Sequence, residues 1–196
     1  MSRRKQKNTR SRIANAAWKL FYEQGYENTT IEEIVEESGT SKGSFYHYFP
    51  GKDALLGSLS DLFDDKYRDL METIDPQMNS YDKLIYLNQE LFGMIENSIS
   101  LDLLSRLFST QLLVKGERTL MDHNRYYFRV LHQTITEGQE RGEITKALSA
   151  SEISRIYALC ERGLMYDWCI CGGSYSLRNY SAQMMPMFLE GLKVKQ

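Results

Sequence analysis

Residues Thr30–Tyr48 leave the backbone little choice. Thr30-Ile31-Glu32-Glu33 is a capping box: the Thr30 hydroxyl accepts from the Glu33 amide, and the Glu33 carboxylate reaches back to Thr30. Ile31, Ile34 and Val35 then form the buried face of a short helix, which Gly39 breaks after about two turns. Ser41 is an N-cap for a second short helix from Lys42 to about Tyr48, burying Phe45, Tyr48 and Phe49. Pro50-Gly51 ends it, and a long helix opens at Lys52-Asp53. Upstream, Ile13, Ala17, Leu20 and Phe21 follow the spacing of an amphipathic helix closed by Gly25. Two short helices joined by a glycine-containing turn and steadied by a preceding helix describe a helix-turn-helix.

Such a unit lays its second helix in the DNA major groove, N-terminal residues toward the bases. Those residues are Ser41, Lys42, Gly43 and Ser44, then Tyr46 and His47, all small or able to hydrogen-bond. Gly43 costs a helix about 1 kcal/mol relative to Ala. A helix that must approach DNA closely has a use for the missing side chain. Thr30 and Lys52 stand at the starts of helices two and four, whose positive dipole ends suit phosphate.

The total charge argues the other way until it is divided. The chain has 24 Lys and Arg against 26 Asp and Glu, a net charge of −2. Residues 1–52 hold nine cations and six Glu, a net +3, which leaves −5 on residues 53–196. Six of those cations lie in the first twelve residues without an acid among them, an arm suited to a polyanion backbone.

Other classes are excluded by what the chain lacks. A hydrophobic fraction of 42% is too high for a disordered tail, and three Cys make no disulfide framework. The longest uncharged stretches, such as Asn179–Leu189, fall short of the ~20 apolar residues of a membrane span. No apolar run follows the basic N-terminus, so the expected location is the cytoplasm, with reduced thiols. His47, His123 and His132 lack metal spacing, and Cys169-x-Cys171 lacks the spacer of a zinc knuckle. No nucleophile triad or phosphate loop is visible, so neither catalysis, metal nor cofactor is expected.

The remaining chain reads as helices, giving an all-α protein of about nine. Helix four runs as one rod through Leu56, Leu59, Phe63, Tyr67 and Leu70 and ends before Asp75-Pro76. Further helices are expected over Tyr81–Asn97, Leu101–Val114, Glu117–Arg141, Ser151–Cys171 and Leu177–Lys193, with a second capping box at Ser149–Glu152. The division is a DNA-binding head, residues 1–52, and a larger helical domain, residues 53–196.

Thr30–Leu56 resembles the signature of the TetR family of transcriptional regulators: Thr, two acids, Ile, Gly, Ser-Lys-Gly, an aromatic cluster, Phe-Pro, then Lys and a Leu pair. Val35 and Ser38 stand where Ala is commoner, and Gly51 where Ser often caps helix four. The resemblance implies that Thr30 caps helix two and touches phosphate, and that Ser41, Lys42, Gly43 and Ser44 face bases and nearby phosphate. Tyr46 and His47 would contact backbone and bases, and Lys52 would clamp a phosphate. It implies a dimer interface on the last two helices, whose apolar stripes nominate Ile153, Ile156, Tyr157, Cys160, Leu164, Tyr180, Met184, Met187 and Phe188. It also implies an effector pocket among the middle helices. Candidates are Phe92, Ile95, Phe108, Leu112, Tyr127, Leu131 and Trp168, with Glu96 and His123 orienting a ligand. Thirteen Tyr and nine Met suit an amphipathic or aromatic small molecule. The implied function is a homodimeric repressor on a near-palindromic operator, released by an effector. Two other readings are a redox regulator acting through Cys160, Cys169 and Cys171, and a helical ligand-binding protein or enzyme with a vestigial head.

Overall fold

The computed structural model describes residues 2–113 and 118–194, with side chains from Thr9 onward. Ten α-helical segments are present among them: Ser2–Gln24 (α1), Ile31–Glu37 (α2), Lys42–Tyr48 (α3), Lys52–Leu56 (α4), Leu59–Thr73 (α5), Ser80–Ser98 (α6), Leu101–Leu113 (α7), Tyr126–Glu140 (α8), Ala150–Ile170 (α9) and Leu177–Leu189 (α10). Counting α4 and α5 as the one helix four expected from sequence gives nine. Short 3₁₀ turns lie at Thr119–Met121 and Glu190–Leu192. The described residues form no strand, only one antiparallel bridge between Ile144 and Lys193. No helix among them is long and apolar enough to cross a membrane.

Two compact units divide the chain: Met1–Asp61 with Ile99–Leu120, and Leu62–Ser98 with Met121–Gln196. The first unit is larger than the expected 1–52 head, because α7 packs on α4. In it α1, α2 and α3 meet around Ile13, Ala17, Phe21, Ile34, Phe45 and Phe49, all buried. Arg12 closes the C-terminus of α2 by donating to the carbonyls of Ser38 (2.5 Å) and Gly39 (3.1 Å). Gly39 takes φ +59, a left-handed conformation that glycine adopts without penalty. The cations at Arg3, Arg4, Lys5 and Lys7 have side chains outside the described residues.

Helix four is not the continuous rod that its apolar spacing predicts. It breaks at Gly57-Ser58 between α4 and α5. There the amides of Ser58 and Asp61 bond three residues back, to Leu55 (2.9 Å) and Ser58 (3.0 Å). The hydroxyls of Ser58 and Ser60 donate to the carbonyls of Leu55 (2.6 Å) and Gly57 (2.7 Å), so side chains compete for the helix's own acceptors. The Trp18 indole donates to the Ser58 hydroxyl at 3.0 Å and holds the interruption against α1.

In the second unit α6 packs on α8 and α10, and α9 packs on α8 and α10. The expected helix over Glu117–Arg141 begins only at Tyr126, and Glu117 lies outside the described residues. Asp122 accepts from the Asn124 amide (2.9 Å) and ends any helix approaching from upstream. The new start is capped from elsewhere: Asp64 accepts from the amide of Tyr126 (2.9 Å) and from two nitrogens of Arg125 (3.1 and 2.7 Å). Gly138 lets α8 approach α6, since a Cβ there would stand 2.7 Å from Ser80 Cβ.

Candidate nucleic-acid interface and helical effector region

The helix-turn-helix forms as the caps dictate. The Thr30 hydroxyl accepts from the Glu33 amide (3.2 Å), and Glu33 accepts from the Thr30 amide (2.7 Å) and hydroxyl (2.9 Å). Both bonds to Thr30 hold the Glu33 carboxyl below its usual range. Thr30 is therefore exposed but committed within its own capping box. Ser41 caps α3 by accepting from the Ser44 amide at 3.1 Å. Phe45 and Phe49 turn inward, which turns Ser41, Lys42, Gly43, Tyr46 and His47 out to solvent, with Ser44 half-buried beside them.

Gly43 is informative about what that face meets. A Cβ at this position would find one described atom within 4 Å, the Ser41 hydroxyl at 3.9 Å. The backbone is right-handed helix, so neither packing nor dihedral within this chain requires glycine. The missing side chain is thus available to something outside the chain. Beside it, Lys42 pairs with Glu32 on α2, and the hydrogen bond raises the Lys42 pKa and lowers that of Glu32. Both side chains are exposed, so the pair is weak and easily exchanged for a phosphate. His47 stands edge-on to Tyr48 at 4.7 Å.

Lys52 is placed differently from its expected role as a phosphate clamp. Its ammonium donates to the carbonyls of Tyr26 (2.7 Å) and Thr29 (2.9 Å), and more distantly to Glu27 (3.5 Å). It also lies 4.3 Å from the centre of the Tyr26 ring. An ammonium has three donors, and these carbonyls take them. Lys52 fixes the loop that delivers Thr30 to the head of α2.

The expected effector residues do not form one pocket. Phe92, Ile95 and Leu131 are fully buried core. Phe108 and Leu112 belong to the first compact unit, and Leu112 is 73% exposed. Glu96 caps α10, accepting from the Ser176 hydroxyl (3.1 Å) and the Arg178 amide (3.0 Å). Trp168 donates to the Tyr175 carbonyl (2.8 Å) and holds the turn between α9 and α10. Tyr127 points inward and donates to Glu161 (2.7 Å), which also accepts from Asn88 (3.0 Å). Burial raises the Glu161 pKa against the pull of these donors. The sequence reading missed this buried carboxylate. His123 lines an open cavity of 660 Å³ between α8 and the start of α9.

The stripes on α9 and α10 separate into two faces. Ile153, Tyr157 and Leu164 are buried within the chain, with the Tyr157 hydroxyl donating to the Leu84 carbonyl at 2.8 Å. These three are core, a correction to their reading as interface. Their neighbours face out: Leu159 (62% exposed), Tyr166 and Ile170 (66%) on α9, and Tyr180, Met187 (70%) and Phe188 on α10. Ile156 and Met184 are half-buried beside them. Ile156, Leu159, Gly163, Tyr166 and Ile170 are separated by three and four residues in turn, the spacing of a helix–helix seam. A hollow of 270 Å³ between the two helices is lined by Cys160, Gly163, Asp167, Tyr180, Met184 and Phe188. Burial, then the nearby Glu161, pushes the Cys160 thiol up and away from the reactive thiolate.

Comparison with known proteins places these features. Residues 13–59 match the pattern of bacterial regulatory proteins of the tetR family. The uncharacterized HTH-type transcriptional regulator YuxN of Bacillus subtilis is 48% identical over 54 residues, 28% of this chain and 19% of that protein. The chain thus spans about a fifth of that relative's length. The Bacillus subtilis fatty acid metabolism regulator protein is 22% identical over 187 residues, covering 93% of this chain and 95% of its own. The Thermus thermophilus repressor FadR, solved in complex with lauroyl-CoA, superposes with a TM-score of 0.71 at 23% identity, over 95% of this chain and 96% of its own. The local match to tetR-family regulatory proteins falls on the helix-turn-helix, and the likeness of fold to solved regulators extends over both units.

Proposed function

We propose that this protein is a homodimeric transcriptional repressor that binds a near-palindromic operator in the cytoplasm and is released by a small-molecule effector. One observation carries the reading: α3 buries Phe45 and Phe49 while turning Ser41, Lys42, Gly43, Tyr46 and His47 to solvent, with a glycine on that face that the chain's own packing does not require. Each recognition helix enters a major groove, Ser41 to Ser44 toward the bases. The arm contacts phosphates, Thr30 fixes the start of α2 through its capping box, and Lys52 supports it by holding the loop before α2. The outward faces of α9 and α10 pair with a second copy, setting two recognition helices about one DNA turn, ~34–36 Å, apart.

The effector proposed is an acyl thioester of coenzyme A. The lauroyl-CoA bound by the Thermus repressor and the name of the Bacillus relative support this class. Release requires the effector to bind the state that does not fit the operator more tightly than the state that does.

The test is a mobility shift on the DNA upstream of the protein's own gene. Specific binding that weakens steeply with salt, and is reversed by lauroyl-CoA, is the expected result. Salt-independent or absent binding excludes the repressor. Binding that persists through saturating acyl-CoA excludes that effector and leaves the DNA reading standing.

A further inference from the structure

The 660 Å³ cavity between α8 and α9 is joined by a second of 250 Å³, the two sharing His123, Phe128 and Arg155. Together they match the size of sites that hold ligands of drug size or larger. Their chemistry is one-sided. Arg155 and Arg162, seven residues apart on one face of α9, are about 10 Å apart along the helix. Neither makes a hydrogen bond or ion pair among the described residues. Arg129, His123 and His132 add further nitrogen donors along α8 and the turn before it. Arg129 commits one nitrogen to the Asn124 carbonyl (3.0 Å) and lies 5.7 Å from the Tyr126 ring centre.

One acid lines the cavities, Glu152, and its carboxylate is already engaged. It accepts from the Ser149 amide (2.8 Å) and hydroxyl (2.7 Å) in the capping box that starts α9. Among the described residues the cavities therefore offer two guanidiniums with no hydrogen-bonded or ion-pair partner, Arg162 feeling the charge of the buried Glu161 behind it. Guanidiniums bind phosphate oxygens in pairs, by forked hydrogen bonds stronger than neutral ones. The walls between them are apolar: Phe128, whose ring lies 4.8 Å from His123, with Ala158 and Met121. A row of cations bordering an apolar floor fits a molecule with a phosphorylated head and a hydrocarbon body.

We propose that this cleft seats the phosphate-bearing head of the effector, with Arg155 and Arg162 as its principal anchors and Phe128, Ala158 and Met121 receiving the start of the apolar chain. This rests on the acyl-thioester reading and goes beyond it, by naming the site and the residues that distinguish a phosphorylated ligand from a plain fatty acid.

The test is calorimetric titration of the full-length protein and its Arg155→Gln/Arg162→Gln variant with lauroyl-CoA, free coenzyme A, laurate and inorganic pyrophosphate. Both arginines are on the protein surface, and thermal melting and operator binding should match wild type, which establishes that the variant folds. The expected result is at least a tenfold loss of affinity for lauroyl-CoA and coenzyme A with laurate unchanged. Equal affinity of both proteins for lauroyl-CoA overturns the cleft and leaves the acyl-thioester reading intact. A matching loss for laurate overturns the assignment to phosphate. If wild type ignores lauroyl-CoA but binds pyrophosphate through these arginines, the cleft stands and the acyl-thioester reading falls. No binding of any phosphorylated probe overturns the cleft.

Discussion

The guanidinium of Arg106 on α7 lies 4.9 Å from the centre of the Tyr26 ring, in the loop between α1 and α2. The same guanidinium pairs with Glu27 (2.7 Å) and with Asp102 (2.9 Å). Lys52 holds that loop from α4, and the Tyr26 hydroxyl donates to Asp53. The loop that sets the start of α2 is thus fixed by side chains from two other helices. Arg106→Ala should lower stability by about 1 kcal/mol, since the cation–aromatic contact is partly exposed and the ion pairs are weak. Operator affinity should fall several-fold as Thr30 loses its fixed position. Urea unfolding and a mobility shift measure the two, and an unchanged operator affinity would show that α7 does not support the head.

Gly43→Ala separates stability from DNA binding. The fold has room for the methyl group, and the substitution removes a helix penalty of about 0.5–1 kcal/mol. The variant should therefore melt higher than wild type while binding its operator more weakly. A variant that is both more stable and equally tight on DNA would remove the argument that Gly43 marks a close approach. Loss of both properties would mean that the helix has packing demands here that the surrounding atoms do not reveal.

How much of this was readable in advance depends on how local each cause is. The capping boxes at Thr30–Glu33 and Ser149–Glu152 form as their residues spell out, because both partners lie within four residues. The break at Gly57-Ser58 was hidden, since Leu56, Leu59 and Phe63 keep helical spacing across it and its anchor, Trp18, is 40 residues away. The start of α8 was hidden for the same reason, its cap Asp64 lying 62 residues upstream. Glu96 read as a ligand group because a polar residue in an apolar helix invites that role. Its partners, Ser176 and Arg178, are met only once α10 folds back. On α9 two apolar faces coexist, and periodicity alone does not say which one meets its own chain. The outward seam through Leu159, Gly163, Tyr166 and Ile170 was nonetheless present in the sequence as alternating three- and four-residue steps.

Asp64 and Arg125 form a pair with little side-chain exposure, 8% and 10%. Asp64→Ala would remove the carboxylate that this guanidinium and the first amides of α8 share. The expected cost is about 3–5 kcal/mol, the range for a buried pair broken on one side. Asp64→Asn keeps one acceptor oxygen and should recover part of it. Urea denaturation at neutral pH distinguishes the two. A loss below about 1 kcal/mol for the alanine variant would mean that water reaches the pair.

Glu161 makes stability depend on pH in a direction opposite to most carboxylates. Burial raises its folded pKa above the ordinary 4.5, so the unfolded chain ionises first as pH rises. The stability tied to the protonated form is complete below about 4.5 and is lost progressively up to the raised folded value. Glu161→Gln carries no such dependence and can still accept from Asn88 or Tyr127. Its advantage over wild type should therefore grow from about pH 4.5 upward, by as much as ~1.4 kcal/mol per pH unit within that window. Urea melts of both proteins across this range provide the comparison, and a difference that stays flat would mean that Glu161 ionises in the folded state as readily as in the unfolded chain.

The outward seam of α9 gives the sharpest test of assembly. Leu159 and Ile170 project from the surface and contribute little to their own chain, so Leu159→Asp/Ile170→Asp should leave folding nearly intact. In the proposed dimer the four introduced carboxylates meet an apolar contact that excludes water, where unpaired charge is costly. Dimer affinity should weaken by two orders of magnitude or more, roughly 3 kcal/mol, and sedimentation at micromolar concentration should report monomers. Operator affinity should fall with it, because a lone recognition helix reads one half-site and loses the joint hold that a second one provides. A variant that sediments as a dimer excludes this seam as the interface, whatever happens to its DNA binding. A monomeric variant that keeps full operator affinity would instead separate DNA recognition from pairing, leaving the helix-turn-helix to act alone.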